Sequence, residues 1–216
     1  MRLRILVSSM LLFTLASCSV LGIGDSPAPP LTKAQAKKAL LTRADFPKGW
    51  TRDADESTDD TKVTRGSKAC KQVVDGPDDE APTQLERAFT SPDETTTIGH
   101  SIESYVEGEA RREFNRDVLM IDACDRFTLG DGKDFSVRFT LGLVHFKDMG
   151  DDSAAYQAVG NLVPGVKVFV DSAAVRVGQN VVAITSFRVG SAIPDRKLRN
   201  YLKLAIAKLD KVVKAD

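Results

Sequence analysis

The sequence predicts a single α+β domain in which an antiparallel sheet is packed against helices, the last of them long and C-terminal. Three observations predict it. Apolar residues alternate with polar ones from Thr96 to Glu107 and again from Phe135 to His145, the period-2 pattern of strands with one buried face. Gly178-Gln179-Asn180 stands between two valine-rich runs, Ala174 to Val177 and Val181 to Val189, as a hairpin turn does. Near the C-terminus Leu198, Tyr201, Leu202, Ala205, Leu209 and Val212 recur at helical spacing, with Lys197, Lys203, Lys208 and Lys211 left outside, so one stripe must cover the sheet. No internal repeat and no second composition regime divides the chain.

Composition agrees with one folded core. Apolar residues make up 42% and charged residues 28% of the 216, enough apolar surface to offset chain entropy. The 30 basic and 30 acidic side chains balance. Loss of Arg2 and Arg4 with a leader leaves a net charge of about −2, which is no electrostatic footprint for nucleic acid.

The leader comes first. Met1-Arg2-Leu3-Arg4 is a cationic start, and Ile5 to Ala16 is an apolar run broken only by Ser8, Ser9 and Thr14. At about 12 residues the run is too short for a permanent membrane span and fits residues 1–17 as a signal peptide. It ends in Leu15-Ala16-Ser17-Cys18, which resembles the lipobox of bacterial lipoproteins. There small residues admit the signal peptidase and the cysteine thiol carries a diacylglyceryl group. The resemblance implies that Cys18 is the lipid attachment site, that the lipid bilayer is a partner, and that the protein is anchored at the cell membrane facing outside the cytoplasm. The alternative is an ordinary secretory signal with a cysteine at its boundary. Gly22, Gly24, Pro27, Pro29 and Pro30 then make residues 18–31 a flexible tether, with the domain proper over residues 32–216.

With Cys18 consumed by lipid, Cys70 and Cys124 remain as an even pair in an oxidising compartment, and a disulfide between them is expected. The alternative is two buried free thiols. A metal site is disfavoured, because no CxxC pair exists and His100 and His145 are far apart in the chain.

Within the domain, Thr32 can cap a helix from Lys33 to Leu41 whose apolar face is Ala36, Ala39 and Leu40. Pro47 and Gly49 then break the chain between Phe46 and Trp50, which should both pack on the core. Asp53 to Asp60 reads as an acidic surface loop; a calcium site there lacks the turn glycine and the distal glutamate. Ser67 to Val74 forms a short helix carrying Cys70. Leu85 to Ser91 and Thr96 to Glu107 form a hairpin, with Ile98, His100, Ile102, Ser104 and Val106 on one face. From Gly108 to Ile121 the period becomes helical through Ala110, Phe114, Val118 and Ile121, which brings Cys124 to the inward face. Phe135 to His145 follows as a strand. Val166 to Val170, Ala174 to Val177 and Val181 to Val189 read as short antiparallel strands, and Pro194 opens the closing helix.

No motif for a catalytic centre is present, neither GxSxG, HExxH, a P-loop nor a dinucleotide fingerprint. His100 and His145 read as core or rim residues. The acidic pair of Gly150-Asp151-Asp152-Ser153 reads as a solvated turn, and Lys197, Arg199 and Lys203 as the wet face of an amphipathic helix rather than a headgroup site.

Taken together, Cys70, the Thr96 to Val106 strand, the Ala110 to Cys124 helix, Gly150-Asp151-Asp152-Ser153 and Val175-Arg176-Val177-Gly178-Gln179-Asn180-Val181-Val182 resemble actinobacterial exported lipoproteins. Those are similar to the extracellular sensor domain of a membrane serine/threonine kinase, the PknH-like family. That resemblance, over roughly residues 35 to 213, implies an α+β domain with a central antiparallel sheet, a cleft for an unidentified ligand, and disulfides. This chain departs from it in having one available cysteine pair where that domain has two, and in carrying no kinase. The expectation is a non-catalytic ligand-binding or sensor-like module without cofactor, recognising an envelope ligand or protein partner. The alternatives are a lipid or glycolipid carrier, which would enclose a large apolar cavity, and an envelope hydrolase, which would need His100 or His145 beside a Ser or carboxylate in a cleft.

Overall fold

The computed structural model describes residues 28–53, 62–75, 81–131 and 136–215. Along the chain these form α1 (Lys33–Ala39), a 3-10 turn at Arg43–Asp45, β1 (Thr51–Arg52), β2 (Lys62–Gly66), α2 (Lys68–Asp75), β3 (Thr83–Thr90) and β4 (Thr96–Ser104). There follow α3 (Glu109–Asp122), β5 (Arg126–Gly130), β6 (Ser136–Leu143), β7 (Asp152–Val163), β8 (Val166–Val177), β9 (Asn180–Val189) and α4 (Asp195–Val213). The strands join in one sheet of order β1-β3-β4-β9-β8-β7-β6-β5-β2, each neighbouring pair antiparallel. The α+β class and the closing helix are as expected. β1 and β2 are consecutive in the chain yet form the two edges. Nine strands spaced about 4.8 Å apart would set those edges roughly 38 Å apart in a flat sheet, and the link from Arg52 to Lys62 reaches at most roughly 36 Å. Strand twist must therefore bring the edges together.

The period-2 alternation of β4 and β9 decides what each face carries. Ile98, His100, Ile102 and Ser104 turn to one face with Val182, Ile184 and Ser186, and all are buried. Phe89, Ala173 and Val175 extend this surface, and α1 and α4 seal it with Ala36, Ala39, Leu198, Tyr201, Leu202, Ala205 and Leu209. The α4 stripe is the predicted one. Phe46 stacks on Phe89 with ring centroids 4.3 Å apart and lies 5.2 Å from both Trp50 and Tyr201, which places both rings of the turn in the core. Thr32 caps α1 in a reciprocal box with Gln35. The helix stops at Ala39, and Leu40 and Leu41 are buried beyond its end.

On the opposite face α2 and α3 cover the β5 to β8 half. Here Val63, Phe127, Val137, Phe139, Leu141, Ala158 and Val168 form a second core around Cys70 and Cys124. The two cysteines are joined in a disulfide, 54 residues apart in sequence with Cα atoms 4.8 Å apart. It ties α2 to the C-terminal end of α3.

Several expectations are corrected. Residues 150–153, read as a cap or turn, lead into β7, a twelve-residue central strand. Val166 to Val170 and Ala174 to Val177 are one strand, because Asp171 and Ser172 between them are buried and hydrogen-bonded: Gln157 donates to Asp171 Oδ1 at 2.6 Å, and Ser172 and Thr185 share a hydroxyl bond at 2.9 Å. β4 ends at Ser104, leaving Val106 half exposed. β6 ends at Leu143, so His145 lies past the strand and exposed. Lys208, expected outside, is drawn in to pair with Asp45. The acidic segment after Asp53 lies outside the described residues, as do residues 1–27.

The tether expectation also changes at its end. Residues 28–31 are strapped onto the domain: Gln179 N–H donates to the Ala28 carbonyl and Asn180 Nδ2 to the Pro29 carbonyl, each at 2.9 Å, and Leu31 N–H donates to Ser104 Oγ at 2.6 Å. Leu31 is buried. Gly178 makes this possible, since its φ is +60° and a Cβ there would stand 2.2 Å from the Ala28 carbonyl. Asn180, wholly buried, also donates to the Val177 carbonyl at 3.4 Å. Asn180→Ala should therefore cost about 1–2 kcal/mol in a urea melt and speed proteolysis between residues 28 and 32. An unchanged melt would show that the strap adds nothing to the fold.

Candidate functional site: a polar cleft under α2 and α3

The alternation that buries Ile98, His100 and Ile102 under α4 turns Gly99, Ser101 and Glu103 of β4 the other way. Gln84 and Glu86 of β3, Ala183 and Thr185 of β9, Ser172 and Ala174 of β8, and Tyr156 of β7 share that face. Over it stand Gln72, Val73 and Val74 of α2 and Arg116, Asp117, Met120 and Ile121 of α3. The floor side chains at 99, 101, 172, 174 and 183 are Gly, Ser or Ala, too short to fill the gap beneath the helices. A cleft of about 470 Å³ remains.

Its charge is acidic. Glu86, Glu103 and Asp117 line it against one cation, Arg116, which is already engaged by Glu113 and lies 3.6 Å from Asp117. Burial and the facing Glu103 push the Asp117 carboxyl up to about 6. The Tyr105 hydroxyl donates to Glu103 Oε2 at 2.6 Å, and burial together with that carboxylate pushes the phenol well above its ordinary range. Burial raises the Tyr156 phenol too. Such a surface is rich in hydrogen-bond acceptors and suits a ligand that brings donors or positive charge.

A second cleft of about 340 Å³ lies between Phe114, Asn115 and Val118 of α3 and residues 148–154. Asp151 and Asp152 beside it are not solvated as expected. Arg176 holds both, through Nη1 to Asp151 at 3.1 Å and Nε to Asp152 at 2.6 Å, and Gly178 N–H donates to Asp151 at 2.7 Å. The pair is a clamp on the β8–β9 turn.

Neither histidine lines either cleft. His100 is on the far side of the sheet, where its Nδ1 accepts the Leu41 N–H at 2.9 Å while Arg87 Nη1 donates to the Leu41 carbonyl at 2.8 Å. It holds the chain after α1 to the sheet. Its pKa is lowered to about 3 by burial, with Lys208 and Arg87 adding to the effect. The arrangement asked of a hydrolase is not formed around His100 or His145. Among the described residues no three His, Cys, Asp or Glu side chains are grouped as a metal ion would require. Cys18 lies outside the described residues. Lys197 and Lys203 stay exposed on α4. Sequence reasoning missed the cleft floor because Ser101 and Glu103 have the alternation of an ordinary solvent-facing strand side. The available signal was the α3 sequence itself, in which Arg116, Asp117, Met120 and Ile121 form a second stripe beside the core-facing one.

No family model matches the chain, and no curated protein matches it in sequence. Among solved structures it is similar to the extracellular domain of PknH from Mycobacterium tuberculosis, with a TM-score of 0.59 and 11% identity over 87% of this chain and 99% of that one. A Rv0999 ortholog from Mycobacterium smegmatis aligns with a TM-score of 0.42 and 11% identity over 84% and 98%. The chain thus has the fold of the PknH extracellular domain, and the likeness inferred from the residues holds at the level of architecture.

Proposed function

We propose that this chain is a membrane-anchored extracytoplasmic lipoprotein, acylated at Cys18, whose domain is a non-catalytic, sensor-like ligand-binding module. The observation that carries the reading is the polar cleft of about 470 Å³ between the sheet and α2 and α3, a concave site of the size of a small ligand. The shared fold with a domain that is extracellular in PknH supports the location. A lipid carrier would need a dry cavity on the order of 1,000 Å³, whereas this cleft is smaller and carries three carboxylates. The ligand is therefore polar, a donor-bearing or cationic envelope molecule.

Native mass spectrometry of the protein purified from its own host tests this, beside an Ala183→Trp variant whose indole fills the cleft floor. The expected result is a retained small molecule on the parent and its loss from a variant that still melts cooperatively. A bound mass unchanged by the substitution places binding elsewhere, and no bound mass on either protein removes the small-ligand reading.

A further inference from the structure

The chain enters the folded domain at a fixed point. The strap at residues 28–31 ends on the β8–β9 turn, and the same turn is held from two more sides. Tyr105 N–H donates to the Gln179 carbonyl and Gly108 N–H to Gln179 Oε1, at 3.0 and 3.1 Å, while Gly178 is bound by Asp151. The strap, the 105–108 loop and the Asp148–Asp152 loop therefore form one end of the molecule, and the link back to Cys18 reaches at most roughly 36 Å from it.

That end also exposes apolar side chains. Val106 is 50% exposed in the 105–108 loop, and Val144 is 44% exposed where its N–H meets the Ala155 carbonyl near the start of β7. The carboxylates of Asp151 and Asp152 are neutralised in the Arg176 clamp, which removes two charges that anionic headgroups would repel. β7 and β8 run away from it, and twelve residues of strand put the Leu162-Val163 hairpin tip roughly 40 Å distant. Val163 at that tip is just as apolar and 53% exposed, so hydrophobicity alone does not choose between the ends. The point of attachment does.

We propose that the end of the domain bearing the strap, the 105–108 loop and the β8–β9 turn lies on the lipid bilayer, with Val106 and Val144 in contact with it. This rests on acylation of Cys18. The 470 Å³ cleft, beside the middle of the sheet, then faces along the membrane rather than into it.

The test uses the full acylated chain on phosphatidylglycerol and phosphatidylethanolamine vesicles carrying a nitroxide-headgroup lipid. Val106→Cys, Val144→Cys and Val163→Cys are each labelled with bimane; all three positions are exposed, and the disulfide leaves the new thiol as the reactive one. The expected result is quenching several-fold stronger at 106 and 144 than at 163. Quenching as strong at 163, or absent at all three while the protein floats with the vesicles, overturns the orientation and leaves the anchor standing. A Cys18→Ser control that floats like the parent, or a parent lacking acyl mass at Cys18, overturns the anchor and the orientation together.

Discussion

Replacing Cys70 and Cys124 together with alanine is expected to lower the stability of the protein by about 4 kcal/mol, the loop-closure entropy of a bridge spanning 54 residues. Local structure raises the stakes. β2 is an edge strand that pairs only with β5, with a register shift between Val63 and Arg65, so the β2–α2 unit has one hydrogen-bonded neighbour and the disulfide as its second tie. Both sulfurs are buried beside Val63, Phe127 and Val137, and alanine leaves a void there as well. Hydrogen exchange in α2 and β2 should accelerate far more than in β4 and β9, which are paired on both sides. Because α2 forms part of the roof of the cleft, ligand retention should fall in step. Urea denaturation of the parent and the double variant measures the effect, and a difference under about 1 kcal/mol would mean that packing alone holds α2 in place.

How much of this was legible from the residues depends on whether a strand faces large or small neighbours. β4, β9 and α4 were readable because each sets large apolar side chains against polar ones at its own period. β7 was not, since its sequence runs through Ala154, Ala155, Ala158 and Gly160. Those residues are small because their neighbours are large: a Cβ at Gly160 would stand 2.8 Å from Val137 and 2.9 Å from Phe139. A strand fitted between aromatic side chains loses the β-branched signature that identifies it alone. β8 was split for a related reason, as Asp171 and Ser172 look like a break until Gln157 and Thr185 supply their partners from other strands. The disulfide followed from counting, whereas the cleft needed the third dimension. Nothing local distinguishes the outward side of β4 in water from the same side beneath α3.

Between pH 6.5 and about 3 the protein should lose roughly 1.4 kcal/mol of stability per pH unit through His100 alone. In the folded state the imidazole is buried and neutral, with its Nδ1 committed to accepting the Leu41 N–H and two cations, Lys208 and Arg87, opposing a further positive charge. Once unfolded it titrates near 6.5. Below that pH the unfolded chain binds a proton that the folded chain refuses, so the stabilisation present above pH 6.5 is lost as pH falls. Asp117 works in the opposite sense: its raised carboxyl takes up a proton in the folded state first, between about 6 and its unfolded value near 3.8, and so adds stability on acidification. The two contributions separate in a His100→Asn variant, whose amide oxygen can still accept from Leu41 but does not titrate. Its smaller side chain lowers stability at every pH by a constant amount. The diagnostic is therefore the slope: urea midpoints from pH 7 to 4.5 should fall less steeply for the variant than for the parent, the gap narrowing by nearly 3 kcal/mol over about two pH units. Parallel slopes would show that His100 gains its proton in the folded protein, which the buried Leu41 contact does not permit.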